Sequence, residues 1–277
     1  MRFERVTLPG TIMALALLVG GCSASSDRAR LMSWEEYAAR EHVVPYVIDI
    51  THHSGGRLVY VGSRHLNDPE HLELKLIETL WGQVVPELAL NEGGDPPSLD
   101  DREAAIRKFG EPGLVRHLAK RDGVPVRSFD PSWAEEVAEL GSSFDCESLR
   151  LFYAFRQASH HNRNRVEPIE DLMKRVFAML DSIPELRCGP RTLDGLRAEY
   201  AERFPGRDGL ESIAPEWFDP VRHDHWLNEI ARASSELRDR YIIEELTRPV
   251  LEGKRVFAVA GASHVVMQEE LIRSLLQ

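Results

Sequence analysis

Cysteine, basic surface and long apolar runs are all scarce in this chain, and each scarcity closes off a class of protein. Cysteine occurs three times in 277 residues, at Cys22, Cys146 and Cys188, and that spacing fits no metal-ligand motif. The early apolar run, Ile12 to Val19, is too short to cross a bilayer as a permanent helix. No basic stripe interrupts a formal net charge of −11. That balance argues against nucleic acid as a partner and against an electrostatic hold on anionic lipid. No internal repeat of solenoid period is visible, so a stacked array is excluded too. What remains is ordinary apolar content in a chain long enough to bury a substantial core as one domain.

The first residues stand apart from the fold. Arg2 and Arg5 precede the apolar run, which ends in Val19-Gly20-Gly21-Cys22 and a polar spacer from Ser23 to Arg28. This pattern resembles a bacterial lipobox, in which cleavage before the cysteine accompanies its lipidation. The resemblance implies a signal peptide at 1–21, lipidation at Cys22, a flexible linker over 22–32 and one domain over 33–277. Acyl chains would then hold the mature protein on a membrane face without spanning it. Ser23, in place of an acidic residue, points to the periplasmic side of the outer membrane. In such an oxidising compartment Cys146 and Cys188 are free to pair, and two buried thiols are the alternative.

Along the rest of the chain the periodicities predict an α/β fold. Ser33-Trp34-Glu35-Glu36 is a capping box that opens a short helix. Val44 to Thr51 and Arg57 to Val61 read as a hairpin whose turn carries His52 and His53. Asp68 and Pro69 suggest a helix start, with Leu72, Leu76, Ile77 and Leu80 as its apolar stripe. Leu88 to Leu90 and Gly123 to Phe129 read as further strands, separated by helices over 99–109 and 113–121. From about 132 to 250 the pattern is almost entirely helical, and Val256 to Ala260 forms the last strand. The order predicts a mostly parallel mixed sheet flanked by helices, with a large helical insertion before the last strand.

Four of these strands end on a residue that carries chemistry: Gly62-x-x-His65, Glu92, Asp130 and Gly261-x-x-His264. Ligands of open α/β sheets bind at the carboxyl ends of the strands, so one site is expected there. Two imidazoles and a carboxylate (His65, His264 and Glu92) suit a divalent Zn, Mn or Fe that activates a water. The metal-free version uses one histidine as base, Glu92 to orient it and the other histidine as electrophile. Gly62, Ser63, Gly261 and Ser263 are candidates for contacting substrate or an oxyanion, and Arg240 for clamping a carboxylate or developing oxyanion. His223 and His225 read as a polar helix start, and His160-His161 as a helix end without a role.

This layout resembles the TraB/GumN–TIKI–ChaN–erythromycin-esterase superfamily. The shared features are an early strand with Gly-x-x-His, strands ending in acidic residues, a long helical section and a final strand with a second Gly-x-x-His. In the helix before that strand, Asp239 and Arg240 match an acidic-Arg-Asn motif of the TraB-like branch, while Tyr241 replaces the asparagine. The resemblance implies a sheet of two related halves with the site between them. It implies catalysis for some members, including metal-dependent peptidases and an esterase, and together with the lipobox the expectation is a lipid-anchored, metal-dependent hydrolase cleaving an amide or ester of a small molecule or peptide. By analogy to the ChaN lipoproteins it offers haem binding as the alternative, which requires an axial ligand beside a broad apolar slot.

Overall fold

A computed structural model describes residues 29–164 and 167–277. The expected signal peptide and Cys22 therefore lie outside the described residues. At the end of the expected linker, Leu31 packs on the core and the Met32 N–H donates to the Met267 carbonyl at 3.1 Å. Helix α1 (Trp34–Ala39) then opens on the expected capping box, with the Ser33 and Glu36 side chains each accepting the other's backbone N–H.

Strands β1 (Tyr46–Thr51) and β2 (Arg57–Ser63) form the hairpin, paired antiparallel. Helix α2 (Leu72–Val84) follows, capped by His71. Its start falls later than Asp68 because Asp68 first closes a turn, its carbonyl accepting the His71 N–H. Strand β3 (Leu88–Asn91) leads to helix α3 (Arg102–Asp122), in which Gly110 (φ 63°) breaks the helical path between the two expected segments. Strand β4 (Val126–Ser128) completes the first part.

The helical insertion comprises α4 (Trp133–Leu140), α5 (Cys146–Asn164), α6 (Ile169–Ser182) and α7 (Leu193–Arg203), and leads into α8 (Trp226–Leu251). Strand β5 (Arg255–Gly261) and helix α9 (Ala262–Leu276) close the chain. The sheet runs β1-β2-β5-β3-β4, parallel except for β1. The last strand thus lies between β2 and β3.

Parallel strands covered on both faces read as continuous apolar runs, and β2 and β5 do. Alternate residues divide between two cores. Leu58, Tyr60, Val256 and Ala258 pack under α8 and α9, while Val59, Val61, Phe257 and Val259 pack against α2 and α3. The insertion has its own core around Phe152, Phe155, Phe177 and Tyr200. Helix α8 serves both: Leu227 and Ile230 join the insertion's core, Ile242 and Leu246 the sheet's. Its middle therefore lies at the junction, beside the carboxyl edge of the sheet. A disulfide between Cys146 and Cys188, Cα atoms 6.3 Å apart, ties the start of α5 to the loop after α6.

Candidate functional site

Strand order places the four chemical residues side by side on one edge: His65 after β2, His264 after β5, Glu92 after β3 and Asp130 after β4. Glu92 lies one residue past β3 but stays tied to the sheet, its N–H donating to the Val259 carbonyl at 3.1 Å. Its Oε2 accepts the Gly261 N–H at 2.7 Å.

His65 is held in a left-handed conformation (φ 61°), uncommon for a residue with a side chain. Buried carboxylates on either side hold it there. Glu73 Oε1 accepts the Arg64 N–H at 3.1 Å, and Glu111 Oε1 accepts the Leu66 N–H at 2.6 Å. The resulting loop brings His65 against Gly261. A Cβ on that glycine would stand 2.8 Å from His65 Nε2 and 3.5 Å from Glu92 Oε2. Both side chains therefore face one point, and only glycine leaves it open.

A row of alternating acidic and basic side chains runs from His264. Its Nδ1 lies 2.5 Å from Asp239 Oδ1, and its Nε2 lies 3.5 Å from Glu92 Oε1. Gln268 Nε2 donates to the same Asp239 oxygen at 2.7 Å. Arg238 donates to Glu92 Oε1 and to Asp130 Oδ1, both at 2.8 Å. Asp130 Oδ2 accepts the Gly93 N–H at 2.7 Å.

The charges dominate the titration behaviour. Burial disfavours the charged form of His264, but Asp239 and Glu92 outweigh it and push the imidazole up to about 10. Burial likewise opposes ionisation of Glu92, yet His264, Arg238 and His65 hold its carboxyl well below the usual carboxylate range. Each of the two groups thus favours the charged form of the other.

Three adjoining cavities meet at Glu92. One of about 870 Å³ is lined by His65, Ser63 and His160; a second of about 940 Å³ by Asp130, Trp133, Tyr153 and Arg156. A small third, about 150 Å³, holds Ser263, His264 and Arg238.

The structure thus brings together His65, Glu92, Asp130 and His264, and corrects the arginine. Arg240 is exposed, whereas Arg238, two residues earlier on α8, points into the site. The glycines and Ser63 are engaged internally. Gly62 leaves room for Ala262 and Val265, the Gly261 N–H is held by Glu92, and the Ser63 hydroxyl donates to the Ala260 carbonyl at 3.2 Å. Ser263 faces the small cavity beside His264. The His52 and His53 rings meet at a tilt of 48° in the hairpin turn, at the opposite end of β2. His225 caps α8, and His223 faces Glu35 and Arg232. His160, given no role from the sequence, lines both large cavities.

Arg238, Gln268 and Arg156 are the site residues that sequence reasoning missed, and Asp239 was marked only by its match to the acidic-Arg-Asn motif. A signal for Arg238 and Asp239 existed in the helical phase. Stepping back from the apolar positions Ile242 and Leu246 by helical intervals lands on 238 and 239, and puts 240 on another face.

Both ring nitrogens of His264 face carboxylates, and the cation bridging Glu92 and Asp130 is the Arg238 guanidinium. A metal on His65, Glu92 and His264 would share Glu92 with that guanidinium and would need His264 as a neutral imidazole, with Asp239 orienting it. The walls of the second cavity mix charged groups (Asp130, Glu136, Arg156 and Arg238) with the aromatic rings of Trp133, Tyr153 and Phe218. Comparison with models of known families, with curated proteins and with solved structures found no match.

Proposed function

We propose that the chain is a cell-envelope hydrolase, anchored through lipid on Cys22, that cleaves an amide or ester bond without a metal. The observation that carries this reading is the buried Asp239–His264–Glu92–Arg238 network opening onto three cavities. His264, held as imidazolium by Asp239, supplies positive charge to the oxygen that becomes an oxyanion. His65, at the wall of the first cavity, takes a proton from the attacking water and returns it to the leaving group. The water oxygen bonds to the carbonyl carbon as the bond to the leaving nitrogen or oxygen breaks. Glu92 keeps its charge and fixes the spacing of the two imidazoles.

The test is hydrolysis of p-nitrophenyl acetate and an aminoacyl p-nitroanilide by the full chain in detergent. His65→Ala, His264→Gln and Glu92→Gln are each expected to lower the rate by about a hundredfold or more, with no effect of chelator on the wild type. Activity retained in all three variants would sink the proposal. So would a stoichiometric metal whose removal abolishes turnover, which would restore the metal-dependent version. A saturable Soret shift on haem titration, without hydrolysis, would move the reading to a haem-binding lipoprotein.

A further inference from the structure

Arg156 is a charged group of the site that the chemistry above leaves unused. It stands on α5 and lines the second cavity with Trp133 and Tyr153, and the small cavity with Ser263 and His264. Among the described residues its guanidinium makes no hydrogen bond or ion pair, and its directed contact is the face of Phe152 at 5.8 Å. The charges around it are already engaged: Arg238 by Glu92 and Asp130, and Glu136 by the Ser234 hydroxyl at 2.6 Å. Burial and the nearby Arg238 push the Arg156 guanidinium below its ordinary value, though a guanidinium stays charged at neutral pH. Five N–H donors with no protein partner, half-buried beside a second cation, present to the cavity a positive charge that an anion would offset.

We propose that Arg156 binds a free carboxylate of the substrate, so that the ligand is an acylated amino acid or short peptide with an apolar side chain. The planar fork of a guanidinium matches the two oxygens of a carboxylate. Asp130, Glu135 and Glu136 on the same walls disfavour the second negative charge of a phosphate monoester. The apolar part lies on the stacked Trp133–Tyr153 pair, ring centroids 4.9 Å apart, and the labile bond reaches Glu92 on the shared wall. This assignment rests on the hydrolytic reading for the word substrate, but the binding step does not need turnover.

The experiment is a titration of the full chain in detergent with N-acetylphenylalanine, its amide, and phenyl phosphate, followed by ligand-observed NMR. The acid is expected to saturate at millimolar concentration, with the amide about tenfold weaker, as for loss of one charged hydrogen-bonding contact. Arg156→Gln is expected to level the two, and Arg156→Lys to recover part of the difference. Equal binding of acid and amide by the wild type, no saturation up to about 10 mM, or discrimination surviving in Arg156→Gln would each overturn the proposal. Tighter binding of phenyl phosphate than of the acid would overturn the carboxylate assignment. Discrimination lost only in Arg156→Gln, with no hydrolysis of any ester or amide, would leave this site standing and remove the hydrolytic reading.

Discussion

His264→Gln takes away a proton whose binding is tied to folding, and the tie has a size that follows from the site. An imidazole in the unfolded chain titrates near about 6.5, whereas Asp239 and Glu92, against the cost of burial, push His264 up to about 10. A folded pKa above the unfolded one adds stability that is complete below about 6.5 and is lost as pH rises through about 10. Integrating the proton difference gives about 4 kcal/mol at pH 7 and about 1 kcal/mol at pH 9. The side chain is only 8% exposed, so solvent screening takes little from these figures. Urea unfolding of wild type and His264→Gln, followed by circular dichroism at each pH, reads the difference directly. The variant is expected to be less stable near pH 7, and the gap to narrow by about 3 kcal/mol towards pH 9. Lysines and tyrosines that titrate in both proteins cancel in that comparison. A gap that stays constant or widens with pH would show that His264 is not held as imidazolium, and the charge pattern proposed for the site would fail with it.

Three further outcomes follow from the same contacts. Arg238→Met leaves Asp130 without its counter-charge and Glu92 with His264 alone, and should cost about 3–5 kcal/mol in urea unfolding, while exposed Arg240→Ala should stay within about 0.5 kcal/mol and keep activity. Gly261→Ala puts a methyl group 2.8 Å from His65 Nε2, so the rate of ester hydrolysis should fall sharply while the melting curve shows an intact fold. Replacing Cys146 and Cys188 together by serine opens a loop with a sequence separation of 42, for which chain entropy predicts a loss of about 4 kcal/mol in the same urea assay.

The edge of the sheet was the most legible part of the chain, because period and punctuation act locally. A buried apolar run that stops at glycine or a carboxylate marks the end of a strand, and four such ends, at His65, Glu92, Asp130 and His264, lie on one edge in the fold. What the α8 helix offers that edge was less legible. In a helix buried on more than one face, Arg238, Asp239 and Arg240 differ only by phase, and phase depends on what packs against it. The resemblance to an acidic-Arg-Asn motif points to Arg240, whereas the stripe through Ile242 and Leu246 favours its neighbours. Arg156 was harder still. Its role depends on the insertion folding back over the sheet, a long-range contact with no local signature in Cys146–Asn164.

The order of charges explains how so polar a centre is tolerated at a buried junction, and where its reactivity must lie. Asp239, His264, Glu92, Arg238 and Asp130 alternate in sign, each touching the next within 3.5 Å. Each buried charge therefore has an opposite neighbour, the condition under which burial of ions is sustained. Groups inside such a row are poor at exchanging protons or gripping new ligands, since doing so would unpair a neighbour. The free capacity falls at its flanks, on His65 against Gly261 and on Arg156 in the second cavity. A substrate lying across Glu92 would meet both, its labile bond towards the imidazoles and its carboxylate on the guanidinium. The row then acts as a fixed field between two working ends, which is why truncating its interior at His264 or Glu92 is expected to disturb folding and function together, and truncating its flanks to disturb function alone.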